Sequence, residues 1–327
     1  MTRRITRRGV LAGAASLIAA PALAQTSWPE RNVRIVVPYP AGGSTDVLSR
    51  ILGEHFKERF GQTFVIENRP GAGGNIGIDA LCKAAPDGYT MGAATVGNFS
   101  INQYLYPRMP YDAEKDFIAA SLTWELPNVA LVSTQHCPAK TMAEFIAWAK
   151  ARENGVVYGS PGVGTTPHLS GALFMTRTGV KGQHVPFRGA AQTIPAMLSG
   201  DVTFALDNLA SYVSTIESGA LRALAVTSPQ RWPSMPNVPT MAEAGLSDFV
   251  VTSWAGFVFP AGTPRPIIDK VAAAMREIAA DKAVQDRFLI AGARCLSSTP
   301  EEAAAFAAKE RTMWKEMVRI SGAKLEG

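Results

Sequence analysis

The sequence predicts an α/β protein made of two units. Two observations carry this prediction: short apolar runs alternate with amphipathic helix patterns along most of the chain, and Gly-rich turns join them. Alternation of this kind is typical of parallel sheets that are covered by helices on both faces. The length of 327 residues is enough for about two domains, each with its own core.

The first unit begins with a strand, a Gly-rich turn and a helix. Val33–Val37 is a continuous apolar run that ends at Pro38, as expected of a strand buried on both faces. Residues 39–44 have turn chemistry, and residues 45–59 carry one apolar stripe at helical spacing. The same pattern predicts a strand over 63–66, a turn over 70–74, a helix over 75–85 and a strand over 89–94.

A second series follows Pro110. Residues 122–133 are predicted to be extended and interrupted by Pro127. The remaining predicted strands cover 156–159, 183–186, 202–206, 224–227 and 249–259, and the predicted helices cover 141–152, 167–176, 190–198, 266–280, 283–291 and 300–320. A Pro-rich passage at 229–239 is predicted to be a loop near a boundary, and Thr299 before Pro300 is a strong helix start. This order allows the second unit to be an insertion in the first.

Composition and charge exclude several classes of protein. Apolar residues make up 47% of the chain and charged residues 18%, which excludes disorder, collagen and a small disulfide scaffold. The net charge is +5, from 32 Lys and Arg against 27 acids, but four of the Arg lie within residues 1–24. The rest of the chain therefore has 28 basic residues against 27 acidic ones, a net charge of +1. Without a basic surface for phosphate groups, nucleic acid is excluded as a partner.

Residues 1–24 have the pattern of an export signal. They begin with basic residues, continue through a weakly apolar stretch and end in a small-x-small sequence at Ala24. The paired Arg7 and Arg8 indicate the twin-arginine route, and an ordinary secretory signal is the alternative. The apolar run is too short to span a membrane. We therefore expect cleavage after Ala24 and a periplasmic product.

No metal, cofactor or nucleophilic centre is predicted. Cys82, Cys137 and Cys295 are far apart in the sequence, which favours free thiols, with one disulfide as the alternative. The four His residues include no pair at metal-ligand spacing. Because Ser160 lacks the Gly-x-Ser-x-Gly spacing of a nucleophile elbow, hydrolysis by Ser160 and His168 is a remote alternative.

Three Gly-rich turns follow predicted strands and open helices, at 41–44, 71–74 and 159–166. A helix N-terminus offers unpaired N–H groups and a partial positive charge, and glycine lets a ligand approach the backbone closely. The third turn has Thr165 where a phosphate loop has Lys, and the second has Ile76 where a dinucleotide motif has its third glycine. The turns therefore suit a carboxylate rather than a nucleotide. The alternative is that they only connect strands to helices.

Three further residues each have two interpretations. Asp46 in the first turn of its helix either stabilises the helix dipole or accepts a hydrogen bond from a ligand. His168 is either a structural hydrogen-bonding group or a functional one. Arg188, at a predicted strand end, meets either an anion or a surface acid.

Six ordered motifs resemble the tripartite tricarboxylate transporter receptors, also called Bug proteins. The motifs are PYPAGGSTD at 38–46, ENRPGAGG at 67–74, PDGYT at 86–90, YGSPGVGT at 158–165, HL at 168–169 and VPFRG at 185–189. The resemblance extends to Gly256 and to the tripeptide Gly262-Thr263-Pro264. The resemblance implies a two-domain periplasmic binding protein fold, type II-like, with the ligand cleft between the domains. Domain 1 would comprise residues 25–125 and 252–327, and domain 2 residues 126–251.

The resemblance also implies capture of a small carboxylate and its delivery to a tripartite tricarboxylate-type membrane permease, without catalysis or cofactors. A monomer is expected, and a periplasmic sensor for a membrane kinase is the alternative. Arg188 and Phe187 stand where many members carry Lys and Tyr, and the shared motifs do not define the ligand. The predicted site residues are Tyr39, Ala41, Gly42, Gly43, Asp46, Thr95, Asn98, Ser160, Gly164, Thr165, Thr166, His168, Arg188 and Asp207.

Overall fold

The computed structural model describes residues 28–323. The elements alternate between strand and helix, as the sequence predicts. In chain order they are β1 (Val33–Val37), α1 (Ser44–Phe60), β2 (Phe64–Asn68), α2 (Asn75–Cys82), β3 (Thr90–Thr95), β4 (Phe117–Ser133), α3 (Met142–Lys150), β5 (Val156–Ser160), α4 (Thr166–Thr178), β6 (Gly182–Pro186), α5 (Ala190–Ser199), β7 (Phe204–Asn208), α6 (Val213–Glu217), β8 (Leu221–Val226), β9 (Thr252–Pro260), α7 (Arg265–Ala280), α8 (Lys282–Ile290), β10 (Arg294–Cys295) and α9 (Pro300–Ser321).

The strands form two groups that share β4. The first lobe contains β2, β1, β3 and β9 in that order, and the second contains β7, β5 and β6, with β4 between β9 and β7. Pairing is parallel among β1, β2 and β3 and among β5, β6 and β7. The parallel pairing predicted from the alternation is present within each lobe, but the centre is antiparallel, because β4 and β9 carry the chain between the lobes in opposite directions.

Strand β4 runs through Pro127 without the predicted interruption. Pro127 is the last residue of β4 in register with β9, opposite Thr252, and pairing with β7 begins at Asn128. A residue without an N–H group therefore stands where the strand changes partners, a position that a sheet tolerates.

Apolar side chains from both lobes form the core, and α9 packs against both. Ser100 Oγ donates to the carbonyl of Ala307, and Thr176 Oγ1 donates to that of Ser321. Thr299 caps α9 with a reciprocal capping box. The three cysteines are free thiols, as predicted. No helix within residues 28–323 has the length and apolarity that a bilayer span requires.

Candidate functional site

A cavity lies between the two lobes. It encloses about 620 Å³ of space, its open mouth included. Its walls come from loops of both lobes and from β4 and β9. The lining residues are Tyr39, Pro40, Gly43, Ser44, Thr45, Thr95, Val96, Gly97, Trp124, Leu126, Pro161, Thr165, Thr166, Pro167, Gly189, Ala190, Ala191, Asp207, Asn208, Ser211, Ser253 and Trp254.

The starts of three helices, α1, α4 and α5, meet at this cavity. Within residues 28–323, no protein acceptor bonds the backbone N–H groups of Thr45, Thr166, Ala190 and Ala191, all of which line it. Each helix start also carries a partial positive charge. The cavity therefore offers several neutral donors and a positive field to an anion, although its wall contains no Lys, Arg or His.

The Asp46 carboxylate fixes the loop that precedes α1. It accepts hydrogen bonds from the Gly42 N–H at 2.9 Å, from Arg50 Nε and Nη2 at 2.9–3.1 Å and from Asn68 Nδ2 at 2.9 Å. Burial alone would raise the pKa of Asp46, but the hydrogen bonds from Arg50, Gly42 and Asn68 hold it below its usual value. Asp46 therefore supports the loop and does not line the cavity.

Direct hydrogen bonds join the lobes at the cavity wall. The Ser44 N–H donates to Ser211 Oγ at 2.9 Å, and Asn208 Nδ2 donates to Ser44 Oγ at 3.2 Å. The Ser253 hydroxyl in β9 contacts the Thr166 hydroxyl and donates to Asn208 Oδ1 at 2.7 Å. These contacts hold the lobes in a closed arrangement.

Among residues 28–323, Asp207 is the only carboxylic acid in the wall. Its oxygens accept hydrogen bonds from the Asn208 N–H at 2.7 Å and from Tyr212 Oη at 2.8 Å. Burial raises the pKa of Asp207, and the two hydrogen bonds offset this effect only in part, so the pKa is about 6. Burial likewise raises the pKa of the Tyr39 phenol to about 12, so this group is neutral at any physiological pH.

Six of the fourteen predicted site residues line the cavity, namely Tyr39, Gly43, Thr95, Thr165, Thr166 and Asp207. The structure places the other eight behind the wall or beside it, namely Ala41, Gly42, Asp46, Asn98, Ser160, Gly164, His168 and Arg188. Asn98 Oδ1 accepts from the N–H and the hydroxyl of Thr95. Ser160 Oγ lies 2.7 Å from Nε2 of His184, and the His184 ring stacks on the ring of His168 at a centroid distance of 4.3 Å.

Arg188 lines a second cavity, which adjoins the first through Tyr39 and Pro161. Its guanidinium is exposed and forms no ion pair with any residue that the structure describes. The Gly-rich turn at 71–74 forms another wall of this second cavity, so it too lies beside the main cavity and not in it.

Sequence reasoning missed the apolar wall and the start of α5. Trp124, Leu126 and Trp254 lie in β4 and β9, where an apolar residue in a buried strand gives no sign of facing a cavity. The start of α5 did carry a signal, because Gly189 follows a predicted strand and precedes a predicted helix.

A family model described as tripartite tricarboxylate transporter family receptor matches residues 48–322. The chain belongs to this family. Protein BugT of Bordetella pertussis is 36% identical over 327 residues, which are 100% of this chain and 99% of BugT. The resemblance found in the sequence is therefore confirmed, and the family is one of solute-binding receptors rather than enzymes.

Solved structures show the same fold. A protein from R. palustris, solved with adipate, superposes with a TM-score of 0.88 at 33% identity, covering 90% of this chain and 98% of that one. MatC from Rhodopseudomonas palustris, with bound malate, superposes with a TM-score of 0.82 at 30% identity, covering 89% of this chain and 100% of MatC. The periplasmic binding protein BugD superposes with a TM-score of 0.86 at 32% identity, covering 91% of this chain and 99% of BugD. These likenesses confirm a two-domain periplasmic binding protein fold with its cleft between the domains.

Proposed function

We propose that this chain is an exported periplasmic receptor that closes on a small organic acid and delivers it to a tripartite tricarboxylate-type permease. The observation that carries the proposal is the meeting of three helix starts at one cavity, in whose wall the described residues include no Lys, Arg or His. Neutral donors and helix dipoles satisfy a carboxylate. A nucleoside triphosphate would need cationic groups, and the described residues of this wall supply none.

The proposed site consists of residues that contact the ligand and of residues that hold the surrounding loops in place. The residues that we expect to contact the ligand are Tyr39, Gly43, Thr45, Thr95, Thr165, Thr166, Ala190, Ala191 and Asp207. Asp46 and Gly42 hold the first-lobe loop, while Ser160 and His168 hold the second-lobe loop through hydrogen bonds to Gly162 and Gly164. Arg188 stands at the second cavity beside them.

We place the hinge where β4 and β9 pass from one lobe to the other. The expected domain boundaries at 125/126 and 251/252 lie within two residues of Pro127 and Thr252, which face each other at the end of the shared ladder. Opening would leave the pairing within each lobe intact and break the hydrogen bonds of Ser44 to Ser211 and Asn208.

The names of the relatives support a carboxylate ligand, since two of the solved structures hold adipate and malate. We expect the chain to act as a monomer after export. Its export signal and the cleavage after Ala24 lie outside the described residues and stay predictions.

Thermal unfolding of residues 25–327 with a panel of dicarboxylates, tricarboxylates, aromatic acids and amino acids tests the binding proposal. An acid at about 100 times its dissociation constant should add roughly 2.7 kcal/mol, a shift of several degrees. Ala191→Phe, which places a large ring at the exposed edge of the cavity at the start of α5, should abolish the shift. Ala308→Phe on the exposed side of α9 is the matched control. If no acid shifts the midpoint of the wild-type protein, carboxylate binding is wrong.

Uptake of the identified acid by cells separates delivery from sensing. Cells that carry Ala191→Phe in place of the wild-type chain should lose uptake of the radiolabelled acid, whereas Ala308→Phe cells keep it. Normal uptake in the Ala191→Phe cells, together with a lost transcriptional response to the acid, would favour the sensor.

A further inference from the structure

Asp207 is an unusual residue for the wall of a cavity that suits anions. It is the penultimate residue of β7, its side chain is 1% exposed, and it shares the cavity with the starts of α1, α4 and α5. Its two oxygens are held by the Asn208 N–H and the Tyr212 hydroxyl, both neutral donors. Within the described part of the chain, no cationic side chain lines the wall to balance its charge.

Among residues 28–323, the groups packed around Asp207 give its carboxylate no charged partner. Val129 of β4 stands opposite it in the sheet, and Tyr212 lies below it. Across the cavity the other titratable lining group is Tyr39, which is neutral, while the Asp46 carboxylate turns away to Arg50. Burial already raises the pKa of Asp207 to about 6.

A ligand carboxylate must disturb this acid further. Two ionised carboxylates that share a buried site repel each other, so the pKa of one of them rises. The ligand carboxylate has the free N–H groups and the helix starts to stabilise its charge, whereas Asp207 has two neutral hydrogen bonds. The proton therefore belongs on Asp207.

We propose that Asp207 takes up one proton from solvent when the cavity binds its organic acid, so that the closed protein holds the ligand beside a neutral aspartic acid. The inference rests on the proposed function, since it requires an anionic ligand. Protonation turns Asp207 from an acceptor of hydrogen bonds into a donor as well, which removes the repulsion and adds one donor to the site. Binding of the acid is then linked to pH, and the affinity falls as the pH rises.

Isothermal titration calorimetry of residues 25–327 with adipate and malate as probes tests this, in phosphate and in Tris at the same pH. The wild-type enthalpies should differ between the two buffers by an amount that corresponds to nearly one proton taken up per ligand at pH 8. The dissociation constant should rise by up to about tenfold per pH unit above pH 7. Asp207→Asn should bind with equal enthalpies in both buffers and with an affinity that does not change with pH. Asp201→Asn, an exposed acid of the same lobe, should behave as the wild type.

Equal enthalpies for the wild type, with binding lost in Asp207→Asn, would overturn the proposal and make Asp207 an ionised acceptor for a ligand hydroxyl or amine. If neither acid binds, the proposed function is in question, and the ligand-free protein still decides about Asp207. As the pH rises from 4 to 7, the unfolding temperature of the wild type should fall relative to that of Asp207→Asn, because Asp207 must ionise while it is buried. Parallel curves for the two proteins would show an ordinary acid and overturn the inference without any ligand.

Discussion

Asn102 of the first lobe lies directly against Gly164 of the second. Gly164 has a φ of +85°, and a methyl group on its Cα would overlap Asn102 Oδ1. The Asn102 side chain cannot swing away freely, because Nδ2 donates to the Gly73 carbonyl at 3.2 Å and to Asn75 Oδ1 at 2.6 Å. The two lobes therefore approach closely at a point where only glycine fits.

Gly164→Ala should hinder closure of the lobes. We expect the dissociation constant of the bound acid to rise by about tenfold or more, since each 1.4 kcal/mol lost from the closed state is a factor of ten. Calorimetry measures the affinity, and small-angle scattering measures compaction on ligand addition. Gly179→Ala is the matched control, because Gly179 also has a positive φ, +69°, but open space around it. Equal losses in both variants would attribute the effect to backbone strain alone.

Asp46→Asn should loosen the loop that precedes α1. The change removes the charge that binds Arg50 and weakens the hydrogen bonds from Gly42 and Asn68, so we expect the free energy of unfolding to fall by about 1–3 kcal/mol. The pKa of Asp46 is lowered in the folded state, so its contribution is present above pH 4 and is lost as the pH falls further. Chemical unfolding should show a larger difference between variant and wild type at pH 7 than at pH 3.

Much of this architecture follows from local sequence, and the site only in part. The bounds of Val33–Val37 are predicted correctly because five consecutive apolar residues stop at a proline. The loops at the starts of α1 and α4 are found because glycine and hydroxyl residues follow a strand. Trp124 and Trp254 could not be found, since which face of a buried strand meets a cavity depends on how the second lobe packs. The role of Asp46 was open for the same reason, as its partner Asn68 is 22 residues away.

Thr166 and Ser253 form the hydroxyl contact between α4 and β9. Ser253 Oγ also donates to Asn208 Oδ1 at 2.7 Å; Thr166 and Ser253 are buried, and Asn208 is partly buried. Ser253→Ala should therefore leave Asn208 Oδ1 without this donor and leave the Thr166 hydroxyl with only its 3.4 Å hydrogen bond to Asn128 Oδ1, at a cost of about 1–3 kcal/mol in the free energy of unfolding. In a double-mutant cycle with Thr166→Val, we expect a coupling of about 0.5–3 kcal/mol. Strictly additive losses in urea unfolding would show that the two hydroxyls act independently.

Arg188 should speed the capture of anions without holding them. Its exposed charge lies beside the cavity but not in its wall, and rim charges act mainly on the association rate. Arg188→Gln should lower the association rate of the acid at low ionic strength. At 1 M salt, where the Debye length is about 3 Å, the difference should vanish. Stopped-flow tryptophan fluorescence measures both rates, with the exposed Arg276→Gln as control. A faster dissociation rate in Arg188→Gln would instead place this residue in contact with the ligand.

His168 and His184 should make the second lobe sensitive to acid. Their rings stack 4.3 Å apart. Burial lowers the pKa of His168 to about 4, and burial together with the neighbouring His168 lowers that of His184 to about 3. Because the unfolded chain binds protons near pH 6.5 and the folded protein does not, stability should be constant above about pH 7 and fall between pH 6.5 and 4. The unfolding temperature of His184→Gln, which keeps a polar group near Ser160, should fall less steeply over this range. His136→Gln changes an exposed histidine, so its unfolding temperature should depend on pH as that of the wild type does. A wild-type unfolding temperature that stays constant down to pH 4 would contradict the neutral, stacked pair.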